Sequence, residues 1–150
     1  MQELKILNSR EIKEIYELIE NQWGAKIKLD AGFLKNSKNR IFIINKDISK
    51  IDTSKLRINS AGMYFCEIDN RGIRLSIEGS QIIGSKAVKN VAELSDDEKI
   101  RWLKGEDLEK ECSDCSGFVM LKNMDNFLGT GKYANGKILN YVSKTRRINI

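Results

Sequence analysis

The residues whose kind and position most clearly suggest a binding function are the basic side chains near the C-terminus. The segment 126–150, NFLGTGKYANGKILNYVSKTRRINI, has no acidic residue and five basic ones, Lys132, Lys137, Lys144, Arg146 and Arg147. They equal the formal net charge of the whole chain, +5. Lysine and arginine bind phosphate groups, so the segment predicts contact with a nucleic-acid backbone. The alternative is a solvated surface that keeps the protein soluble.

Two tyrosines, Tyr133 and Tyr141, lie between these basic residues. Aromatic rings beside basic side chains are typical of RNA-binding surfaces, where they stack on bases. The same rings could instead pack inside a small barrel. We include Tyr133 among the predicted RNA-binding residues.

The three cysteines and the glycines near Lys132 do not predict a metal or nucleotide site. Cys112 and Cys115 have zinc-ligand spacing, but a structural zinc site needs four ligands, and the chain has no histidine and one further cysteine, Cys66. An odd cysteine count argues against a disulfide framework and fits a reducing compartment. Gly129-Thr-Gly131-Lys132 lacks the spacing of a phosphate loop. No nucleophile and base are paired, so we expect no catalytic site, no metal and no cofactor.

Composition favours a cytoplasmic globular protein of one domain or two small ones. Hydrophobic residues make up 41% of the 150 residues, enough for a core. Apolar runs such as 41–44 are too short to span a bilayer, and the start of the chain lacks the apolar core of a signal peptide. The sequence pI of about 9.1 favours nucleic acid as a partner. Segment 95–115, with eight acids and four bases, forms an opposing acidic pole.

The first third of the chain predicts a small α/β unit. Asn8 and Glu11 have the spacing of a capping box, and apolar residues at helical spacing follow as far as Gly24. Strands are predicted at 26–29 and 40–44 with a polar turn at 35–39 between them, and a short helix or loop at 45–52. We place a boundary near Thr53 and Ser54, giving an N-terminal extension at 1–54.

Residues 55–150 predict a small mixed-sheet β-barrel, so the fold class is α+β. Strands are expected at 56–59, 62–68, 73–77, 86–91 and 117–121, with one helical turn at 79–84. Ser95 and Glu98 form a second predicted capping box, and the helix that follows carries Trp102 on its apolar face. A hairpin with its turn at 134–136 closes the chain.

The order of these motifs resembles a known RNA-binding domain. The runs LRINSAGMYFCEIDNRGIRLSIEGSQIIG, WLKGEDL, GFVML, LGTGK and GKILNYVSKTRR are similar to the C-terminal domain of the Nol/Nop/Sun family of RNA cytosine-5 methyltransferases. Lys144 and Arg147 match the closing element of that family, whereas Ser143 stands where the family has proline. The resemblance covers about two-thirds of the chain.

The resemblance implies a PUA-like β-barrel that binds tRNA or rRNA. Because such modules use the glycine-rich loop beside the barrel, it adds Lys86 and Lys89 as candidate RNA contacts. The methyltransferases of the family also have a Rossmann-like domain that binds S-adenosylmethionine. About 54 residues precede the barrel in this sequence, so we expect a stand-alone module without catalysis.

Our hypothesis is a non-catalytic protein that recognises structured RNA in RNA modification or ribosome assembly. The first alternative is an accessory subunit whose acidic pole docks an RNA-modifying enzyme. The second is a small-molecule enzyme, which the missing catalytic site disfavours.

Overall fold

The architecture is that of a computed structural model, which describes residues 4–44 and 62–149. In these ranges it has two five-stranded sheets and three α-helices. The first sheet consists of β1 (Leu4–Ile6), β2 (Gly32–Asn36), β3 (Arg40–Ile44), β4 (Met63–Asp69) and β5 (Gly72–Leu75). Its strands follow chain order, and every neighbouring pair is antiparallel.

The second sheet is mixed. It consists of β6 (Val91–Glu93), β7 (Leu108–Glu109), β8 (Gly117–Asn123), β9 (Asn126–Ala134) and β10 (Lys137–Asn140). The order is β6-β8-β9-β10-β7, with β6 parallel to β8 and the other pairs antiparallel. The predicted α+β class with a mixed sheet is confirmed.

The first and third α-helices begin where the sequence predicts, each after a capping box. In α1 (Ser9–Trp23), Asn8 and Glu11 form the full capping box, and Gly24 ends the helix with φ 71°. In α3 (Asp96–Leu103), Ser95 and Glu98 form the second box. The middle helix, α2 (Ile77–Ile83), begins two residues before the predicted helical turn, because the Ser76 hydroxyl caps it by accepting from the Gly79 amide.

Several predicted strands differ from the structure. Residues 26–29 form no strand, because the Leu29 amide bonds to the Tyr16 hydroxyl of α1 at 3.0 Å instead of to a sheet. The predicted turn at 35–39 overlaps the end of β2, and the chain turns after Asn36. The strand predicted at 86–91 is also wrong, since residues 84–86 form a 3-10 helix and β6 begins at Val91.

The predictions for 45–52 and 56–59 lie outside the described residues. So does the boundary near residue 54, which stays a prediction. The first sheet contains strands from both sides of it, because β3 pairs with β4.

The sheets share a hydrophobic core. The larger cluster joins Trp23 of α1 and Phe33 and Phe65 of the first sheet to Phe118 and Met120 of the second. A second cluster surrounds Trp102, whose side chain is 0% exposed. The indole N–H donates to the Leu128 carbonyl at 2.9 Å, so Trp102, on the predicted apolar face of α3, holds this helix against β9.

Candidate nucleic-acid interface

The closing hairpin places its basic residues by strand alternation. In the β9–β10 register, Lys132 is opposite Leu139 and Lys137 is opposite Ala134. Directly opposed residues share a face, so Lys132 and Lys137 lie on the same face of the hairpin. Tyr133 lies on the other face, against the Trp102 cluster. The hairpin thus holds two of its lysines on one face.

Lys132 contacts an aromatic row that leads to the first sheet. Its Nζ lies 5.2 Å from the ring centroid of Phe118. Phe118 makes an edge contact with Tyr141 at 5.4 Å, and the Arg74 guanidinium lies 4.8 Å from the Tyr141 ring. Cations within about 6 Å of an aromatic centroid are attracted by the ring quadrupole. Through Phe118 and Tyr141, Lys132 of β9 is therefore connected to Arg74 of β5.

Three arginines of the first sheet are held by two carboxylates. Arg74 pairs with Glu67, its register partner in β4, and lies 3.8 Å from Asp69. Arg40 in β3 pairs with the same Glu67 at 3.3 Å. Arg71 in the β4–β5 turn pairs with Asp69 at 2.8 Å and donates to the Tyr141 hydroxyl at 3.3 Å. The guanidinium groups are thereby fixed in orientation.

A cleft runs between Arg74 of the first sheet and the C-terminal segment. Its lining includes Tyr64, Arg74, Thr130 and Tyr141. Arg146 closes one side and pairs with Glu78 of α2. We call the six residues Arg40, Tyr64, Arg71, Arg74, Tyr141 and Arg146 the arginine–tyrosine cleft. Arg40 and Arg71 lie beside the cleft and do not line it; their guanidinium groups lie 5.6 Å and 5.8 Å from the ring centroids of Tyr64 and Tyr141, which do.

Burial and charge set the protonation states in the cleft. The hydrogen bond from Arg71 lowers the pKa of Asp69, so this carboxylate stays ionised at neutral pH. Burial raises the pKa of Tyr64 to about 12, so its hydroxyl remains protonated. Asp69 is therefore charged and Tyr64 neutral over the physiological range.

Three of the other predicted RNA-binding residues lie outside the lining of the cleft, in different local environments. Lys144 is exposed in the 3-10 helix Lys144–Arg146. Arg147 packs over Gly105 at the end of α3 and donates from Nε to the Val142 carbonyl at 3.1 Å. Lys137 lies beside Glu109 of β7, its register partner. These three do not line the cleft.

Tyr133 is engaged in local structure. Its hydroxyl donates to Glu111 at 3.1 Å and accepts from the Cys112 amide at 3.2 Å. Its ring packs against the core that contains Trp102. The structure thus gives Tyr133 a packing role, although RNA contact by this residue stays a prediction.

Lys86 and Lys89 lie on a different surface. Both are exposed, and the amide of Lys89 bonds to the Trp23 carbonyl at the end of α1 at 3.3 Å. Lys89 lines a groove together with Lys122 and Cys115. The two lysines are therefore not part of the arginine–tyrosine cleft.

Sequence reasoning missed Arg40, Tyr64, Arg71 and Arg74. The basic C-terminal segment was identified because it contains no acidic residue. Each of these arginines lies near a carboxylate in the sequence or in the fold, so it adds no local excess of positive charge. One signal was present: Arg71 lies between the predicted strands 62–68 and 73–77, and Arg74 lies in the second of them, opposite a first strand that carries Glu67. Alternation in such a hairpin brings opposite charges together on one face.

The acidic pole is largely engaged within the protein. Glu98 pairs with Lys110 at 3.1 Å, and Asp107 accepts from the Asn140 amide at 2.7 Å. Partial burial alone would raise the pKa of Glu98. The hydrogen bonds that its carboxylate accepts from the Ser95 amide and from Lys110 outweigh this effect, so the pKa is lowered. The pole's engaged residues are Asp96, Asp97, Glu98, Glu106, Asp107 and Glu111.

The argument against a disulfide is corrected by the structure. Cys112 and Cys115 are joined by a disulfide with a Cα–Cα separation of 5.3 Å. The odd cysteine count misled because Cys66 is a separate, buried core residue of β4, where burial raises the pKa of its thiol. Among the described residues, no group of three or more acidic or cysteine side chains could hold a metal ion. In the same ranges no helix is long and apolar enough to cross a bilayer.

The second sheet, α3 and the Gly129–Lys132 motif all lie within the segment 89–148. Residues 89–148 match the family model described as the methyltransferase RsmF PUA domain. The predicted resemblance to the methyltransferase PUA domain is thus confirmed over these residues, and a PUA domain indicates RNA as the class of ligand. No curated protein matches the chain.

Proposed function

We propose that this protein is a non-catalytic RNA-binding module that recognises structured tRNA or rRNA in RNA modification or ribosome assembly. The observation that supports it most is the match of residues 89–148 to a methyltransferase PUA domain. All five basic residues of the closing hairpin and of the turn after it lie within that segment. Together they favour a ligand with a phosphate backbone.

Binding would be driven mainly by charge and shape. Lys132, Lys137 and Lys144 carry ammonium groups without a carboxylate partner among the described ion pairs, so they are available to phosphate oxygens. Such contacts position a protein on the backbone without reading bases. Folded RNA is recognised largely through its shape and its phosphates.

The absence of histidine from the sequence and the engagement of most acidic-pole carboxylates support a role without catalysis. The same engagement weakens the docking alternative, because a partner would have to compete with internal bonds such as Glu98–Lys110. We therefore favour RNA over a basic protein as the partner.

The direct test combines recovery of native RNA with a charge variant. Cross-linking and sequencing of RNA that copurifies from native cells should return tRNA or rRNA. In binding assays on that RNA, Lys132→Ala/Lys144→Ala should lower affinity roughly tenfold or more at low salt, because charge-assisted contacts are lost.

A matched control removes the same charge elsewhere. Lys13 and Lys28 are exposed and lie outside the matched segment, so Lys13→Ala/Lys28→Ala should bind as the parent does. Circular dichroism would establish that both variants fold. Equal loss in both variants would show that net charge alone governs binding, and absence of tRNA and rRNA from the cross-linked pool would contradict the proposal.

A further inference from the structure

Arginine is concentrated at one place in a lysine-rich protein. The sequence has eight arginines among 26 basic residues, and four of the eight belong to the arginine–tyrosine cleft. Two of the chain's four tyrosines line the same cleft. Arginine differs from lysine in presenting a planar group that stacks and forms paired hydrogen bonds.

We propose that the arginine–tyrosine cleft binds unpaired nucleotides of RNA by stacking their bases on guanidinium planes. The proposal rests on the proposed function, since it assumes that RNA is the ligand. It adds a site in the first sheet and a preference for single-stranded segments. The matched segment 89–148 does not contain Arg40, Tyr64, Arg71 or Arg74.

The exposure of the arginines suits stacking. The side chains of Arg40, Arg71 and Arg146 are 52%, 47% and 48% exposed, whereas Arg74 is 18% exposed. Three guanidinium groups therefore face solvent around a fourth that is partly buried. Arg40 and Arg71 each lie over a tyrosine, at 5.6 Å from Tyr64 and 5.8 Å from Tyr141. A base could continue this stack on the outer face of either guanidinium.

The carboxylates preorganise these groups. Each exposed arginine has one carboxylate partner, Glu67, Asp69 or Glu78. A guanidinium has five N–H donors, so one partner leaves donors for a phosphate or a base edge. Because the side chains are already ordered, binding costs less conformational entropy.

Charge balance decides between stacking and simple attraction. The four arginines face three carboxylates, so the net charge of the cleft is about +1 and its attraction for a polyanion is weak. A paired duplex offers phosphates but few exposed base faces. An unpaired nucleotide offers both, and base stacking contributes substantially per base. An acidic peptide would lack the planar faces, so RNA is the favoured ligand.

The test compares two RNA probes on the full chain. One is a blunt fluorescein-labelled RNA hairpin, and the other is the same hairpin with a short unpaired extension. The parent should bind the extended probe roughly tenfold more tightly, as expected for a single stacked base. Arg40→Lys/Arg71→Lys, which keeps the charge and removes the planar groups, should lose that advantage and keep its affinity for the blunt hairpin.

The control and the outcomes separate this proposal from the proposed function. Arg10→Lys changes an exposed arginine of α1 and should keep the tenfold preference. If the parent binds neither probe, the proposed function fails. If it binds both equally, only the stacking site is wrong. Competition by polyglutamate as strong as by the extended RNA would also overturn the site, in favour of an acidic protein ligand. The single variants Arg40→Lys and Arg71→Lys are measured with the same probes, in case the double variant misfolds. Both side chains are about half exposed, so each single variant should fold, and each should bind the extended probe less tightly than the parent.

Discussion

At the scale of single residues, the two glycines of the Leu-Gly-Thr-Gly-Lys motif have steric roles. Gly129 has φ 89°, a conformation that other residues adopt only with strain. At Gly131, a Cβ atom would lie 2.5 Å from the Trp102 ring. The motif therefore brings β9 close to α3, and its resemblance to a phosphate loop is incidental.

Trp102 is the residue whose loss should cost most stability. Trp102→Ala should lower the free energy of unfolding by about 3–5 kcal/mol, because a large, fully buried side chain is removed beside the close-packed Gly131. Chemical denaturation monitored by circular dichroism measures the change. A variant as stable as the parent that has lost RNA binding would show that Trp102 contacts the ligand instead.

The cysteines predict a defined pattern of thiol reactivity. In native protein Cys66 should resist alkylation, because it is buried and its pKa is raised. In denaturant one thiol should react without reductant and all three after reduction, since Cys112 and Cys115 form a disulfide. Mass spectrometry after alkylation counts the thiols. Three reactive thiols in denatured protein that was purified without reductant would contradict the disulfide.

At the scale of elements, the sequence predicted a helix start or a turn correctly where all the residues that determine it lie within a few positions of each other. Both capping boxes and the closing hairpin follow from spacing and turn chemistry alone. The strand β2 was missed because Phe33 and Leu34 are buried consecutively and lack alternation. The strand predicted at 26–29 failed because Tyr16, thirteen residues away, satisfies its backbone. Such partners are set by tertiary structure.

The capping box of α3 should make a measurable contribution. Ser95→Ala removes the acceptor for the Glu98 amide and should cost about 0.5–2 kcal/mol of unfolding free energy. Thermal or urea denaturation would measure it. A neutral effect would indicate that packing of Trp102 holds the helix without its cap.

Glu98 also makes α3 sensitive to acid. Its pKa is below the ordinary value of 4.5 in the folded state, so its ionised form stabilises the fold above that pH, and the contribution is lost as pH falls through the folded pKa. Unfolding free energy measured from neutral pH into this acid range should therefore fall less steeply in Glu98→Gln than in the parent. Parallel curves for the two proteins would contradict the assignment.

At the scale of the whole molecule, the candidate site depends on how the two sheets meet. Lys132, Tyr141 and Arg146 come from the closing segment, whereas Arg40, Tyr64, Arg71 and Arg74 come from the first sheet. The sequence indicated the first group by its basic residues and the tyrosine between them. It could not identify the second, because Phe118 joins the two groups only through the shared core. The fold class was predictable from local patterns, and the site was predictable only in part.

The salt dependence of RNA binding by the parent protein tests the central claim most directly. If three or four basic side chains contact phosphates, a plot of log K against log salt concentration for bulk tRNA or rRNA fragments should be linear with a slope of about −2 to −4. Filter binding between low and physiological salt provides the data. A slope near zero, or no binding at low salt, would contradict the account of this protein as an RNA-binding module.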